Sequence, residues 1–463
     1  MTDTVTGHPE LRDADTTAAD HHLPQFHVRL PRGYVNDPNG PIDIDGQAHL
    51  YFQSRPRVDL DVPVEWGHAT SDDLVHWTLH RPAIVPVPGG SDSGGAWSGN
   101  TVLHEGTVRA YYSGKVDDSP FQSVLLAEST DGGNTFGPPV QVVADPSADE
   151  GITMFRDPFV WQDENGWSMA VGAASADQTA SVRQYRSADG ITWTSVGDLL
   201  AMPRTTVDGI DTGEGWECPQ ILPVDGTEVA IVASWSHAAG PGDVIAMPLA
   251  GPRHLDRVDE GQHFYAASVM RTGSWGSVLF GWITEGRTDE WTEQVGWSGA
   301  ISVPRRTWLE DGRLRSEPHP ALESLRAGGP QPGNGATIGA QVEIVLPVPV
   351  TGSVLVRFSE TEYLAIRVDL DTDTLTVDRA QASRDDRADP TPAVVRAPFD
   401  RSAERPAVRV LLDGSVVEVF TSAGHAVTTR VYPEQAPPWT VEAPAGALVW
   451  ELASSAVTVV GTR

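Results

Sequence analysis

Cysteine is almost missing from this chain. Cys218 is the single one among 463 residues, so no intrachain disulfide can form. Positive charge is also scarce: 32 Lys and Arg stand against 63 Asp and Glu, a net charge of −31, with no basic cluster anywhere. Nucleic acid and anionic membrane surfaces would be repelled, so neither is an expected partner. An uncharged sugar would be indifferent to the excess. Long apolar runs are lacking as well, and no stretch approaches the ~20 residues of a membrane span. Met1 to Asp20 is polar and acidic, without the apolar centre of a signal peptide. The expected location is therefore the cytoplasm, or outside the cell if a leader has been trimmed away.

What the chain has in plenty is turn formers and tryptophan: 45 Gly, 36 Pro and 15 Trp. With 40% hydrophobic residues it can build real cores, and its length suggests two or three domains. Residues 1–22 read as a flexible tail. His21-His22 lacks a nearby Cys or Glu at ligand spacing, so no metal is expected there. From 23 to 325 the pattern is strand, turn, strand, with Asp-Gly hairpin signals at Asp45-Gly46, Asp131-Gly132, Asp189-Gly190, Asp225-Gly226 and Asp311-Gly312. Ser71-Asp72-Asp73-Leu74-Val75-His76-Trp77 recurs as Ser129 to Phe136 and as Ser187 to Trp193. Each reads as an outer hairpin whose aromatic packs between repeats. A period near 60 over about 300 residues predicts a five-bladed β-propeller. Residues 326–335, rich in Gly and Pro, read as a linker. From 336 to 463, longer alternating strands such as Ser353 to Phe358 and Val408 to Leu412 predict a β-sandwich.

Three acidic segments share one phase of the repeat: Asn36-Asp37-Pro38-Asn39-Gly40, Phe155-Arg156-Asp157-Pro158 and Trp216-Glu217-Cys218-Pro219. Asp37 and Asp157 are 120 residues apart, and Asp157 and Glu217 are 60 apart. Trp97-Ser98-Gly99 falls midway through the first interval. Each segment alone is a plain turn. At a common phase, innermost strands would bring the carboxylates to one axis. Carboxylates so gathered, with Trp66, Trp97 and Trp216 nearby to meet the apolar faces of sugar rings, suit cleavage of a glycosidic bond. Arg156 is expected to keep Asp157 ionised, and Cys218 to pack against Glu217 and limit its solvation. A nucleophilic role for Cys218 lacks any partner histidine in a motif.

The chain resembles glycoside hydrolase family 32, which holds invertases, inulinases, levanases and related β-fructofuranosidases. The match is carried by Tyr34 to Gly40, Tyr51-Phe52-Gln53, Trp66 to Ser71, Trp97-Ser98-Gly99, Phe155 to Pro158, Trp216 to Pro219, Asp259 to Ala266 and Gly296 to Arg305. The resemblance implies a five-bladed propeller followed by a β-sandwich, and cleavage with retention. It implies Asp37 as nucleophile, Glu217 as general acid/base and Asp157 as transition-state stabiliser. Asn36, Gln53, Trp66, Trp97, Ser98, Arg156, Tyr265 and Trp282 would bind the fructosyl unit. No metal or organic cofactor is called for. One departure concerns specificity: Asp61 stands where the family usually places a tryptophan before its Trp-Gly-His segment. The expected substrates are sucrose or fructo-oligosaccharides. The rivals are a fructosyltransferase working through the same intermediate, and a non-catalytic sugar-binding protein, against which the presence of all three acids counts.

Overall fold

The computed structural model describes residues 20–58, 61–116, 121–146, 150–250, 254–271, 273–347, 352–399, 407–455 and 458–459. The protein is all-β in its main elements, with a short α-helix at Asp289–Val295 and a 3-10 helix at Pro320–Leu325 among the described residues. No helix among the described residues is long and apolar enough to cross a membrane.

The N-terminal unit is a series of antiparallel meanders. The first runs Gly33–Ile44, Gln47–Arg55, Glu65–Ser71 and Thr78–Leu79; the second runs Gly95–His104, Thr107–Lys115, Ser123–Ser129 and Val140–Val143. Two further meanders begin at Ile152–Asp163 and Gly215–Val224. They are joined into one eight-stranded sheet by a single residue pair, Ala174 with Gly215. The last begins at Phe264–Met270. The opening strand of each meander packs on the next, and Phe264–Met270 packs back on Gly33–Ile44. A ring of inner strands follows, an arrangement consistent with a propeller.

The repeated Ser-x-Asp segments hold the ring together. In each, the Asp side chain accepts backbone N–H groups of its own turn: Val75 and His76 for Asp73, Thr135 for Asp131, Ile191 and Thr192 for Asp189. The aromatic at the end of each turn then packs on a neighbouring sheet. Trp77 meets Phe280 with ring centroids 6.2 Å apart, Phe136 meets Tyr51 at 5.7 Å, and Trp193 meets Tyr111 at 6.0 Å. Tyr51 and Tyr111 each donate their hydroxyl to a carbonyl of the same turns, Gly133 and Gly190. The alternation of packing and bonding explains why these motifs recur at the blade period.

The C-terminal unit is two six-stranded sheets around a core that includes Val342, Ile344, Val356, Ile366, Leu412, Val419 and Trp439. Its limits differ from those the sequence suggests. The expected linker is a strand, Arg326–Pro332, pairing with Leu448–Leu452 across a register slip between Ala327 and Gln331. Its Gly-Gly-Pro content makes a bulged edge strand rather than a tether. Thr458–Val459 leaves this unit and pairs in parallel with Thr78–Leu79 of the first meander. At the other end, Asp20 to His22 is docked, not free: His21 and His22 both direct Nε2 at the Pro433 carbonyl, at 2.8 and 2.9 Å. Residues 1–19 of the expected tail lie outside the described residues.

Between the units lies a buried charged network. His27 is held by Asp413 (2.9 Å) and Glu418 (3.0 Å), while Arg305 reaches Glu418 (2.6 Å) and Asp259 (2.8 Å).

Candidate active site

Each inner strand carries a β-bulge, and the site is made of the bulges. Asn36 and Asp37 oppose Gln53 alone; Trp97 and Ser98 oppose Ser113; Asp157 and Pro158 oppose Val171; Cys218 and Pro219 oppose Val232; Ala266 and Ala267 oppose Gly281. An extra residue on one strand bends it and re-aims its side chains. Pro158 and Pro219 fit because a bulge position needs no ladder N–H. Asp157, Cys218 and Ala266 adopt left-handed backbone, with φ of 62°, 47° and 46°. These unusual turns converge on one pocket.

Asp37 sits among donors. Ser98 Oγ donates to its Oδ2 at 2.5 Å, Gln53 Nε2 at 3.2 Å, and the Cys218 thiol lies 3.6 Å away. Asn36 Nδ2 reaches the other oxygen at 3.5 Å and also binds Gln53 Oε1 at 2.9 Å. The Cys218 thiol is equally 3.6 Å from Asp157 Oδ2, which also accepts the Cys218 backbone N–H at 3.0 Å. Asp157 is fixed from behind, its own N–H donating to Ser113 Oγ at 2.7 Å. Glu217 accepts the Tyr265 hydroxyl at 2.7 Å, and Arg156 Nε lies 3.4 Å from its other oxygen. Arg156 is flanked by the rings of Trp97 (5.5 Å) and Trp235 (5.7 Å). Trp282 stands edge-on to Tyr34 and Tyr265.

Three carboxylates share this space with one guanidinium. Burial pushes Asp37 up to about 6, helped by the charge of Glu217 and opposed by the Ser98 hydrogen bond. Burial and then Glu217 push Asp157 up to about 7, against the pull of Arg156. Burial and the surrounding acids hold the Cys218 thiol far above its ordinary range, so it is no nucleophile. Asn36 Oδ1 and Trp282 Nε1 are among the buried polar atoms with no hydrogen-bond partner. Such atoms are normally satisfied, and here they leave an acceptor and a donor for a hydroxyl-rich ligand.

Asp37, Asp157, Glu217, Asn36, Gln53, Ser98, Arg156, Tyr265, Trp97 and Trp282 therefore come together as the sequence suggests. Trp66 does not line the pocket. It is wholly buried and donates its indole N–H to the Trp97 carbonyl at 2.9 Å, so it backs the wall that Trp97 forms. Trp216 is likewise in the core, bonded to the Thr212 carbonyl. Arg156 pairs with Glu217 rather than Asp157, and Cys218 faces Asp37 and Asp157 rather than Glu217. Side chains of successive residues in a strand point to opposite faces, so sequence neighbours are poor guides to partners. Asp61 is exposed, on a loop anchored where Arg55 Nε donates to the Val62 carbonyl at 2.9 Å. The Arg55 guanidinium also covers the ring of Tyr34, next to Trp282. Ser113 and Trp235 escaped sequence reasoning, and Tyr34 entered it only as part of a motif, with no role at the site. Trp235 ends an apolar strand with no motif around it, and Ser113 matters only through a bond to a backbone 44 residues away.

Comparison with known proteins places the chain among glycoside hydrolases. The chain is 27% identical over 449 residues to a sucrose-6-phosphate hydrolase of Escherichia coli, with 89% of each protein covered. It is 28% identical over 447 residues to a raffinose invertase of the same organism, covering 89% of this chain and 90% of that one. Its fold superposes on a sucrose-6-phosphate hydrolase from Lactobacillus gasseri with a TM-score of 0.82, covering 96% of both chains at 23% identity. Residues 27–318 match the glycosyl hydrolases family 32 N-terminal domain, and residues 329–448 match that family's C-terminal domain. The chain belongs to glycosyl hydrolase family 32.

Proposed function

We propose that this protein is a retaining β-fructofuranosidase, releasing the terminal β-D-fructofuranosyl unit of sucrose or fructo-oligosaccharides. The observation that carries the reading is the pocket's division of labour among its acids. Asp37 is ringed by Ser98, Gln53 and Asn36, donors that fix its oxygens as a nucleophile's must be fixed. Glu217, at the aromatic side of the pocket, is placed to protonate the departing oxygen. The bond between the anomeric carbon and that oxygen breaks as Asp37 forms an ester with the fructosyl unit. Water then attacks the ester, and Glu217 takes its proton. Asp157, held rigid at both its backbone and its carboxylate, grips ring hydroxyls as positive charge builds on the sugar. The N-terminal unit reads as five blades, the eight-stranded sheet counting as two. The single pair joining its halves and the five matched bulges support that count.

Asp37→Ala and Glu217→Ala are each expected to lower kcat/KM for sucrose by about 10³-fold or more, with folding intact by circular dichroism. Near wild-type turnover in either purified variant would sink the assignment. Chromatography of the products should show glucose and fructose in equal amounts. Trisaccharides building up at high sucrose would move the reading to fructosyl transfer.

A further inference from the structure

Away from the catalytic pocket, a cleft of about 450 Å³ opens between the N-terminal unit and the sandwich. One wall carries Arg257, Glu260, Arg313 and Arg315, and the other carries Arg396 and His425. In a protein with twice as many acids as bases, arginines are expected to find carboxylates. Two of these do: Arg313 pairs with Asp256, and Arg257 pairs with Asp243 (2.9 Å) and Glu260 (3.5 Å). The other two are under-used. Arg315 donates from Nη1 to the Leu314 carbonyl at 3.1 Å, but its buried Nε makes no hydrogen bond and has only an exposed Glu310 at 3.8 Å. Arg396, exposed on the strand Val394–Pro398, makes no hydrogen bond or ion pair with any described residue. Guanidinium donors are thus left over on both sides of one cavity, from chain segments more than 80 residues apart.

We propose that this cleft binds a phosphate group, either as inorganic phosphate or as the monoester of a small metabolite. Planar guanidinium forks match phosphate oxygens in a way that few other ligands do, and arginines on opposing walls would grip it from both units. The acids at hand do not fill that role. Asp256 is spent on Arg313, Asp208 stands exposed at the rim, and burial pushes Glu260 up to about 7, which thins its charge near neutrality. A cavity of this size has room for a hexose phosphate. Such a ligand would clamp the two units together at a place remote from Asp37, so the inference does not depend on the catalytic reading.

Thermal unfolding of the full chain tests it, comparing millimolar inorganic phosphate, glucose 6-phosphate, and sodium chloride at matched ionic strength. Phosphate is expected to raise the wild-type Tm by about 2 °C over chloride. Arg396→Glu should abolish the gain and Arg315→Gln should reduce it. Because Arg396 is exposed and remote from the catalytic acids, Arg396→Glu should fold and hydrolyse sucrose at the wild-type rate. A larger shift with glucose 6-phosphate than with phosphate identifies an ester as the ligand; equal shifts identify the inorganic ion. Equal Tm in phosphate and chloride, or an undiminished gain in Arg396→Glu, overturns the proposal.

Discussion

At the scale of single residues, the pocket's behaviour turns on how Asp37 is kept charged. Burial raises it to about 6, and Ser98 is the strongest influence pulling it back. In its proposed role of nucleophile it must be ionised, so kcat/KM should fall as pH drops through about 6. A hydrogen bond to a charged group contributes about 1.5–3 kcal/mol, or roughly one to two pH units. Ser98→Ala should therefore move the acid limb upward by about one unit, measured as the pH profile of kcat/KM on sucrose. A lower rate with an unmoved limb would mean that Ser98 serves packing alone. Asp37, Asp157 and Glu217 were legible in the sequence because each falls at the same phase of a repeat, within two residues of a proline. Their partners were not. Whether Arg156 meets Asp157 or Glu217 depends on where each bulge turns its side chains, and the phase of a bulge is a property of two strands.

At the scale of the elements, the inner strands are packed so closely that glycine is required between them. A Cβ on Gly172 would lie 2.2 Å from the Trp216 carbonyl oxygen and 3.2 Å from that of Arg156. This glycine therefore lets the strands that carry Asp157 and Glu217 close in on the strand Gly166–Ser175 that both border. Gly172→Ala is expected to cost about 1–3 kcal/mol or more in stability, read from the urea midpoint, and to lower kcat at the same time. The period near 60 was readable because Ser-x-Asp turns and their terminal aromatics repeat with it. The strand Arg326–Pro332 was not, since Gly and Pro signal both a tether and a bulged edge. Only the partner strand Leu448–Leu452, over a hundred residues later, decides between them.

At the scale of the whole molecule, the two units are fastened by ionised groups buried together. Burial alone would push the His27 imidazole down, but its hydrogen bonds to Asp413 and Glu418 outweigh it and the net shift is upward. Asp413 and Glu418 are both held low; against burial, His27 acts first on Asp413 and Arg305 first on Glu418. The raised histidine contributes stability that is complete below its ordinary 6.5 and fades as pH climbs through its folded value. The lowered acids contribute above their ordinary 3.8 and 4.5, and lose it as pH falls. Stability from this network should peak between about 4.5 and 6.5. His27→Ala leaves two carboxylates with a diminished set of partners and is expected to cost about 3–5 kcal/mol. In urea titrations across pH, the variant should also lose the decline above 6.5. Nothing local in the sequence announced this network, whose members lie up to 391 residues apart.

The pairing of Thr458–Val459 with Thr78–Leu79 bears on the order of events during synthesis. The first meander is translated before the sandwich, yet its outer edge stays open until Thr458–Val459, beyond the sandwich strands, has been made. His27 waits nearly as long for Asp413. The first sheet cannot be finished while the second unit is still being made, so completion of the catalytic unit waits on a strand that follows the sandwich.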